Sequence, residues 1–198
     1  MPVRTTSVLV LALWVALSAA AERIRVELRP DATTIGFELS ATMHTVHGTA
    51  DLEGGTFTVD TATGAASGEA VVAAASVDTG NKKRDKKMHG EVLLSERHPR
   101  IVLRAERLEG ELAPAGTSEV TVVGTLELLG QAYPIEIPIT VAIDGDRATV
   151  DASFLVPYVA WGLTDPSTFL LRVSKEVPVT VTAQNVSVTP IPADGGPS

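Results

Sequence analysis

Ile35-Gly36-Phe37-Glu38-Leu39-Ser40-Ala41-Thr42-Met43 sets every odd residue apolar and leaves the even ones small or polar. A two-residue period places successive side chains on opposite faces of an extended chain, so this stretch reads as a half-buried strand. The same period returns on either side of it. Ile24, Val26 and Leu28 alternate with Arg23, Arg25, Glu27 and Arg29, and two long runs follow, Ile135 to Ile143 and Ala148 to Val156. Val120 to Leu128 and Val177 to Ala183 repeat it less cleanly. Turn-forming residues separate the runs at Gly54-Gly55, Asp60 to Gly64, Pro114 to Gly116, Gly130-Gln131 and Asp144-Gly145-Asp146. Eight or nine strands at hairpin spacing predict one all-β domain, an antiparallel barrel or sandwich.

One segment lacks the alternation. Asn81-Lys-Lys-Arg-Asp-Lys-Lys-Met-His89, running on to Leu94, predicts a short helix near residues 81–94, with the cluster Lys82, Lys83, Arg84, Lys86 and Lys87 on it. Such a cluster is commonly a solvated face, but over a barrel mouth it would hold the anionic or polar head of a ligand. Glu69 to Val77, rich in Ala and Val, reads as a strand covered on both sides, and His98-Pro99 marks the entry to another at Ile101.

A single open sheet of this length would leave an apolar face wet, so it must close or stack. An eight-stranded barrel has just enough interior for side chains or one small ligand. The expected inward positions include Ala41, Ala50, Ala73, Ala75, Ala105, Gly124 and Ala152, and only 4% of the residues are aromatic. Small side chains leave room for a cavity; the alternative is a solid core in which alanine faces close neighbours.

Composition limits the rest. The 198 residues include no cysteine, which excludes disulfide staples, thiolate metal sites and a cysteine nucleophile. A net charge of -8 argues against nucleic acid as a partner. Arg4 precedes an apolar run from Val8 to Leu17 that ends in Ser18-Ala19-Ala20-Ala21, the pattern of a secretory signal peptide over residues 1–21. Its apolar run is too short for a membrane span, so cleavage is expected to leave no transmembrane anchor. Export without cysteines fits a periplasmic or secreted protein. Pro190, Pro192, Gly195, Gly196 and Pro197 predict a flexible tail over 187–198, after a domain spanning 22–186.

Catalytic and cofactor motifs are missing: there is no nucleophile elbow, zinc-protease helix, phosphate loop or dinucleotide fingerprint. No cofactor is implied. His44 and His47 are three residues apart, so on a regular strand they face opposite sides. Only a kink, with His89 or a carboxylate added, would bring them to one metal. A metal-binding protein or metal-dependent enzyme using His44, His47 and His89 is therefore the alternative reading.

Several segments taken in order resemble the YceI-like family of secreted, lipid-binding, lipocalin-like proteins. They are Ile35-Gly-Phe37 leading to Val46-His-Gly48, Ser76-Val-Asp-Thr-Gly-Asn81 with Arg84-Asp85, His98-Pro-Arg-Ile-Val-Leu103, and Val123-Gly-Thr-Leu-Glu-Leu-Leu-Gly130. Two departures stand out. Met88-His-Gly-Glu-Val-Leu-Leu94 replaces an aromatic pair after Arg84-Asp85, and Thr49-Ala50 replaces a phenylalanine after Gly48.

The resemblance implies an extended eight-stranded antiparallel barrel around a channel for a long apolar molecule: a polyisoprenoid, an isoprenoid quinone or a fatty acyl lipid. It implies a periplasmic binder or carrier, not an enzyme. The residues expected to line the channel are Phe37, Leu39, Met43, Phe57, Met88, Ile101, Leu103, Leu126, Leu128, Phe154 and Trp161. The sequence leaves room for a homodimer.

Overall fold

The computed structural model describes residues 23–42 and 44–192. The expected signal peptide, Met43 and the end of the expected tail lie outside these residues.

Ten strand segments run in the order β1 (Arg23–Leu28), β2 (Thr33–Ser40), β3 (Thr45–Ala50), β4 (Leu52–Asp60), β5 (Ala66–Ala73), β6 (Arg100–Glu109), β7 (Gly116–Leu128), β8 (Gln131–Asp144), β9 (Arg147–Val156) and β10 (Val177–Ile191). All neighbours are antiparallel, and the β1–β10 pairing closes the sheet. The barrel nevertheless has eight staves, because β1 with β2 and β3 with β4 each form one bent stave. The first bends at a 3-10 turn, Pro30–Ala32, and the second at Asp51. β10 serves both halves of the first stave. Val179–Ala183 pairs with β2 and Ser187–Ile191 with β1, and the register shifts between Ala183 and Val186, where Asn185 has φ +52°. A bulge there re-aims the strand from one half-stave to the other.

This pairing corrects the expected tail: Ser187–Ile191 is strand. Beyond Ser187, β10 has lost β9 and keeps β1 alone, a position that tolerates Pro190. Gly54-Gly55, expected as a turn, lies inside β4. A Cβ on Gly55 would come within 3.1 Å of both Ala70 and Leu28, so glycine here allows the second stave to pack closely. β5 stops at Ala73, and Ala74–Ser76 forms a 3-10 turn in place of the expected strand. The β7–β8 hairpin closes through Leu129-Gly130, both at positive φ (52° and 73°), the twist that a two-residue hairpin needs.

The expected helix is α1 (Lys82–Lys87), continued by a π-helical turn over Met88–Val92. Asn81 caps it, its side-chain oxygen accepting from the backbone N–H groups of Lys83 and Arg84 at 3.1 and 3.2 Å. This segment sits on the flank of the barrel where β3 and β6 are not paired, and Asp78 bridges to Thr49 of β3. The barrel thus has two unlike ends. One, called the helical end below, carries α1 and the loop between β9 and β10; the other carries the Asp60–Ala65, Glu109–Gly116 and Asp144–Arg147 turns.

Candidate functional site

Inward residues of every stave surround one cavity of about 670 Å³ that runs the length of the barrel. Among the described residues its wall is aliphatic and aromatic, interrupted only by Thr33, His44, Thr79, Arg84, Lys87, Arg107 and Tyr158. Five of these, His44, Thr79, Arg84, Lys87 and Tyr158, belong to the helical end; the long middle is apolar except for Thr33, whose buried hydroxyl has no hydrogen-bond partner among the described residues. The volume falls within the range of roughly 300–1,000 Å³ found for small-molecule pockets. At about 30 Å³ per water-sized group it has room for some twenty carbon atoms. Its walls offer water few partners, so an apolar occupant suits it best.

The wall includes Phe37, Leu39, Phe57, Ile101, Leu103, Leu126, Leu128 and Phe154, inward residues of their strands, and Met88 from the helical segment. Met43 lies outside the described residues. Trp161 is a correction: it is not on the wall. Its ring stacks on Tyr133 with centroids 4.7 Å apart and planes 5° from parallel, and the Tyr133 hydroxyl donates to the Trp161 carbonyl. The indole is therefore part of a plug packed beside Leu128, Ile135 and Leu163 at the helical end. Of the small residues expected inward, Ala41, Ala50, Ala105 and Ala152 line the cavity, whereas Ala73, Ala75 and Gly124 do not. Gly124 lies where β6 bulges, and a Cβ there would strike the Arg104 carbonyl at 2.0 Å.

Sequence reasoning missed the wall contributed by the β9–β10 loop, Leu163, Pro166, Leu171 and Val173. That loop has no periodicity. It is tied instead by polar contacts: the Tyr158 hydroxyl donates to the Ser174 carbonyl at 2.8 Å, and Thr42 and Arg172 exchange backbone and side-chain bonds. Burial, reinforced by the charge of Asp165, pushes the Tyr158 phenol up to about 12, so it remains a neutral donor.

The segment from Ser76 to Asp85 is a clamp for α1. Thr79 is buried, and Arg84 donates from Nε to its hydroxyl and from a terminal nitrogen to its carbonyl, both at 2.7 Å. Asp85 accepts from the Thr79 N–H at 3.1 Å and hydroxyl at 2.5 Å. Burial opposes ionisation of Asp85, but the bonds from Thr79 and the nearby Arg84 charge outweigh it and hold the carboxyl below its ordinary value. The Arg84 guanidinium is thus largely committed to the clamp. Gly48, on β3, carries the ring of Phe37: a Cβ there would meet Phe37 Cζ at 2.2 Å and the Asp78 carbonyl at 2.7 Å.

The three histidines do not assemble. His44 faces the cavity, whereas His47 lies on the outer face with Nδ1 3.3 Å from Glu38. His89 pairs with Ser95 at 3.1 Å. Among the described residues no group of three histidine or acidic side chains is placed to hold a metal ion. His44 lies in the β2–β3 connection and His47 within β3, which runs unbroken from Thr45 to Ala50.

A model of the YceI-like domain matches residues 27–185, nearly the whole described chain. This chain belongs to the YceI-like family. Solved structures share the fold at low identity. BcnA of Burkholderia cenocepacia is 18% identical with a TM-score of 0.64, over 82% of this chain and 99% of that one. A polyisoprenoid-binding domain from Saccharophagus degradans, implicated in plant cell wall breakdown, is 19% identical with a TM-score of 0.58, over 83% and 98%. A Campylobacter jejuni YceI protein is 15% identical with a TM-score of 0.58, over 74% and 87%. No curated protein sequence matches the chain. Among the described residues no helix is long and apolar enough to cross a membrane.

Proposed function

We propose that this YceI-like protein is an exported, periplasmic carrier that holds one long-chain lipid, a polyisoprenoid, isoprenoid quinone or fatty acyl species, along the barrel axis. The observation that carries the reading is the cavity: about 670 Å³ walled mostly by apolar side chains, with five of its seven polar residues at the helical end. The chain of the lipid occupies the apolar middle, and its head lies near His44 and Lys87. The family membership and the polyisoprenoid-binding neighbour favour a prenyl cargo. The N-terminal Arg4 to Ala21 pattern supports export. Each buried methylene contributes about 0.8 kcal/mol, so ten buried carbons supply roughly 8 kcal/mol before the loss of ligand freedom. Binding on that scale needs no reaction and no metal.

Leu126→Glu and Phe154→Glu test the reading. Each puts a carboxylate on the apolar wall, and uptake of a fluorescent prenyl or acyl probe is expected to disappear while the barrel's far-ultraviolet spectrum is retained. A folded variant with full uptake would show that this wall does not hold the cargo.

A further inference from the structure

The β9–β10 loop projects two large apolar side chains into solvent, Phe169 at 93% exposure and Leu170 at 85%. They are held there by a closed turn. The Thr168 N–H donates to the Leu171 carbonyl at 2.8 Å, and the Leu171 N–H donates to the Thr168 hydroxyl at 3.1 Å, which leaves positions 169 and 170 at the tip. The base of the turn is tied to the end of β2 through Arg172–Thr42 bonds and the Ala41–Val173 bridge. Leu171, next in the chain, is partly exposed and also lines the cavity. The apolar tip is therefore a fixed feature at the rim of the cavity.

Charge is distributed to match. Every lysine of the chain lies at this end: Lys82, Lys83, Lys86 and Lys87 in α1, and Lys175 just after the loop. Among the described residues, Lys82, Lys83 and Lys86 have no carboxylate within ion-pair distance, and Arg172 stands three residues from Phe169. Of the acids here, Asp85 is held on Thr79, Asp78 on the Gly80 N–H and Asp165 on the Ser167 N–H, and Glu91 faces Lys87, while Glu96 and Glu176 stand exposed, so the cations of this end still outnumber its acids. The opposite end carries Asp60, Glu109, Glu111, Asp144 and Asp146, and its arginines 23, 107 and 147 already face Asp60, Glu109 and Asp146. An anionic surface would attract the first end and repel the second.

We propose that the helical end is a membrane-docking face: Phe169 and Leu170 insert into an anionic lipid surface, and the α1 lysines bind its headgroups. An apolar tip and unpaired lysines at the same end of the barrel are the combination that interfacial binding uses, one part desolvation and one part charge. Docking in this pose sets the cavity rim against the bilayer. It goes beyond the carrier reading and is measured without it.

The test is flotation of the chain, in the form its cells produce, with vesicles of phosphatidylethanolamine and phosphatidylglycerol against vesicles of phosphatidylcholine. The anionic vesicles are expected to bind it and the neutral ones to bind it at least tenfold more weakly. Phe169→Ser/Leu170→Ser should lower binding on the order of a hundredfold. Lys82→Ser/Lys83→Ser/Lys86→Ser should lower it by about fivefold per lysine and flatten its salt dependence. None of these five residues lines the cavity, so probe uptake in solution should be unchanged in both variants. Binding by the loop variant equal to the parent overturns the proposal, as does absence of binding to either vesicle. So does a parent that sediments as a dimer, broken by the loop substitutions, with no vesicle binding, because the tip would then be a self-interface. Vesicle binding without probe uptake would sink the carrier reading and leave the docking face standing.

Discussion

Ala152→Trp distinguishes a cargo cavity from a loosely packed core, because the two give opposite signs. Ala152 lies mid-strand on β9, paired with Ile139 and Val181, and lines the middle of the cavity. In a close-packed interior an indole would force its neighbours off their rotamers and cost about 1–3 kcal/mol. In this barrel it has space to enter. An aromatic ring buries roughly 150–250 Å², worth about 4–6 kcal/mol gross as an upper bound, and rotamer ordering with imperfect fit reduces this to a net gain of about 1–3 kcal/mol. The same ring takes the room of about five methylenes of ligand, so the cargo loses some 4 kcal/mol, close to a thousandfold in affinity. Denaturant unfolding of delipidated protein and titration with a fluorescent lipid probe measure the two effects. A stabilised variant that no longer binds is expected. A destabilised variant, or one that keeps full affinity, would refute the reasoning about this space.

Three further outcomes follow from the site. Gly48→Val places methyl groups where the Phe37 ring and Asp78 carbonyl stand, and is expected to cost about 1–3 kcal/mol by denaturant melt, with part recovered by adding Phe37→Leu. Asp85→Asn should loosen the α1 clamp, seen as faster hydrogen exchange over residues 79–92. Since the folded carboxyl sits below its ordinary value, near 3.8, the clamp's contribution is complete above that pH and lost as pH falls through the lower folded value; the Asn variant should lack this acid limb. Tyr133→Ala removes the stacking partner of Trp161 and should speed probe release severalfold, whereas an unchanged release rate would place the exit elsewhere.

The barrel was legible because strands with one wet face announce themselves by period two, and the inward parity of Phe37, Leu39, Leu103, Leu126 and Phe154 is the same fact. Features set by long-range geometry were not. Trp161 was expected on the channel wall, but its position depends on Tyr133, 28 residues away. Ser187 to Ile191 looked like a tail because of Pro190 within it and the Pro and Gly residues after it, yet closure of the barrel by β1 makes it a strand. The Ser76 to Asp85 motif gave no structural role until the Thr79 contacts were visible, since a clamp of three side chains has no periodicity. His44 and His47 diverge as parity on one strand would require, although His44 precedes β3 and its placement is set by the β2–β3 connection.

The most direct measurement is mass spectrometry of an organic extract from the protein purified out of its own cells. A prenyl or acyl lipid at about one per barrel, recovered from the parent and absent from Ala152→Trp, is the predicted result. An extract without lipid, followed by failure to take up any prenyl or acyl species offered, would contradict the claim that this cavity carries a lipid.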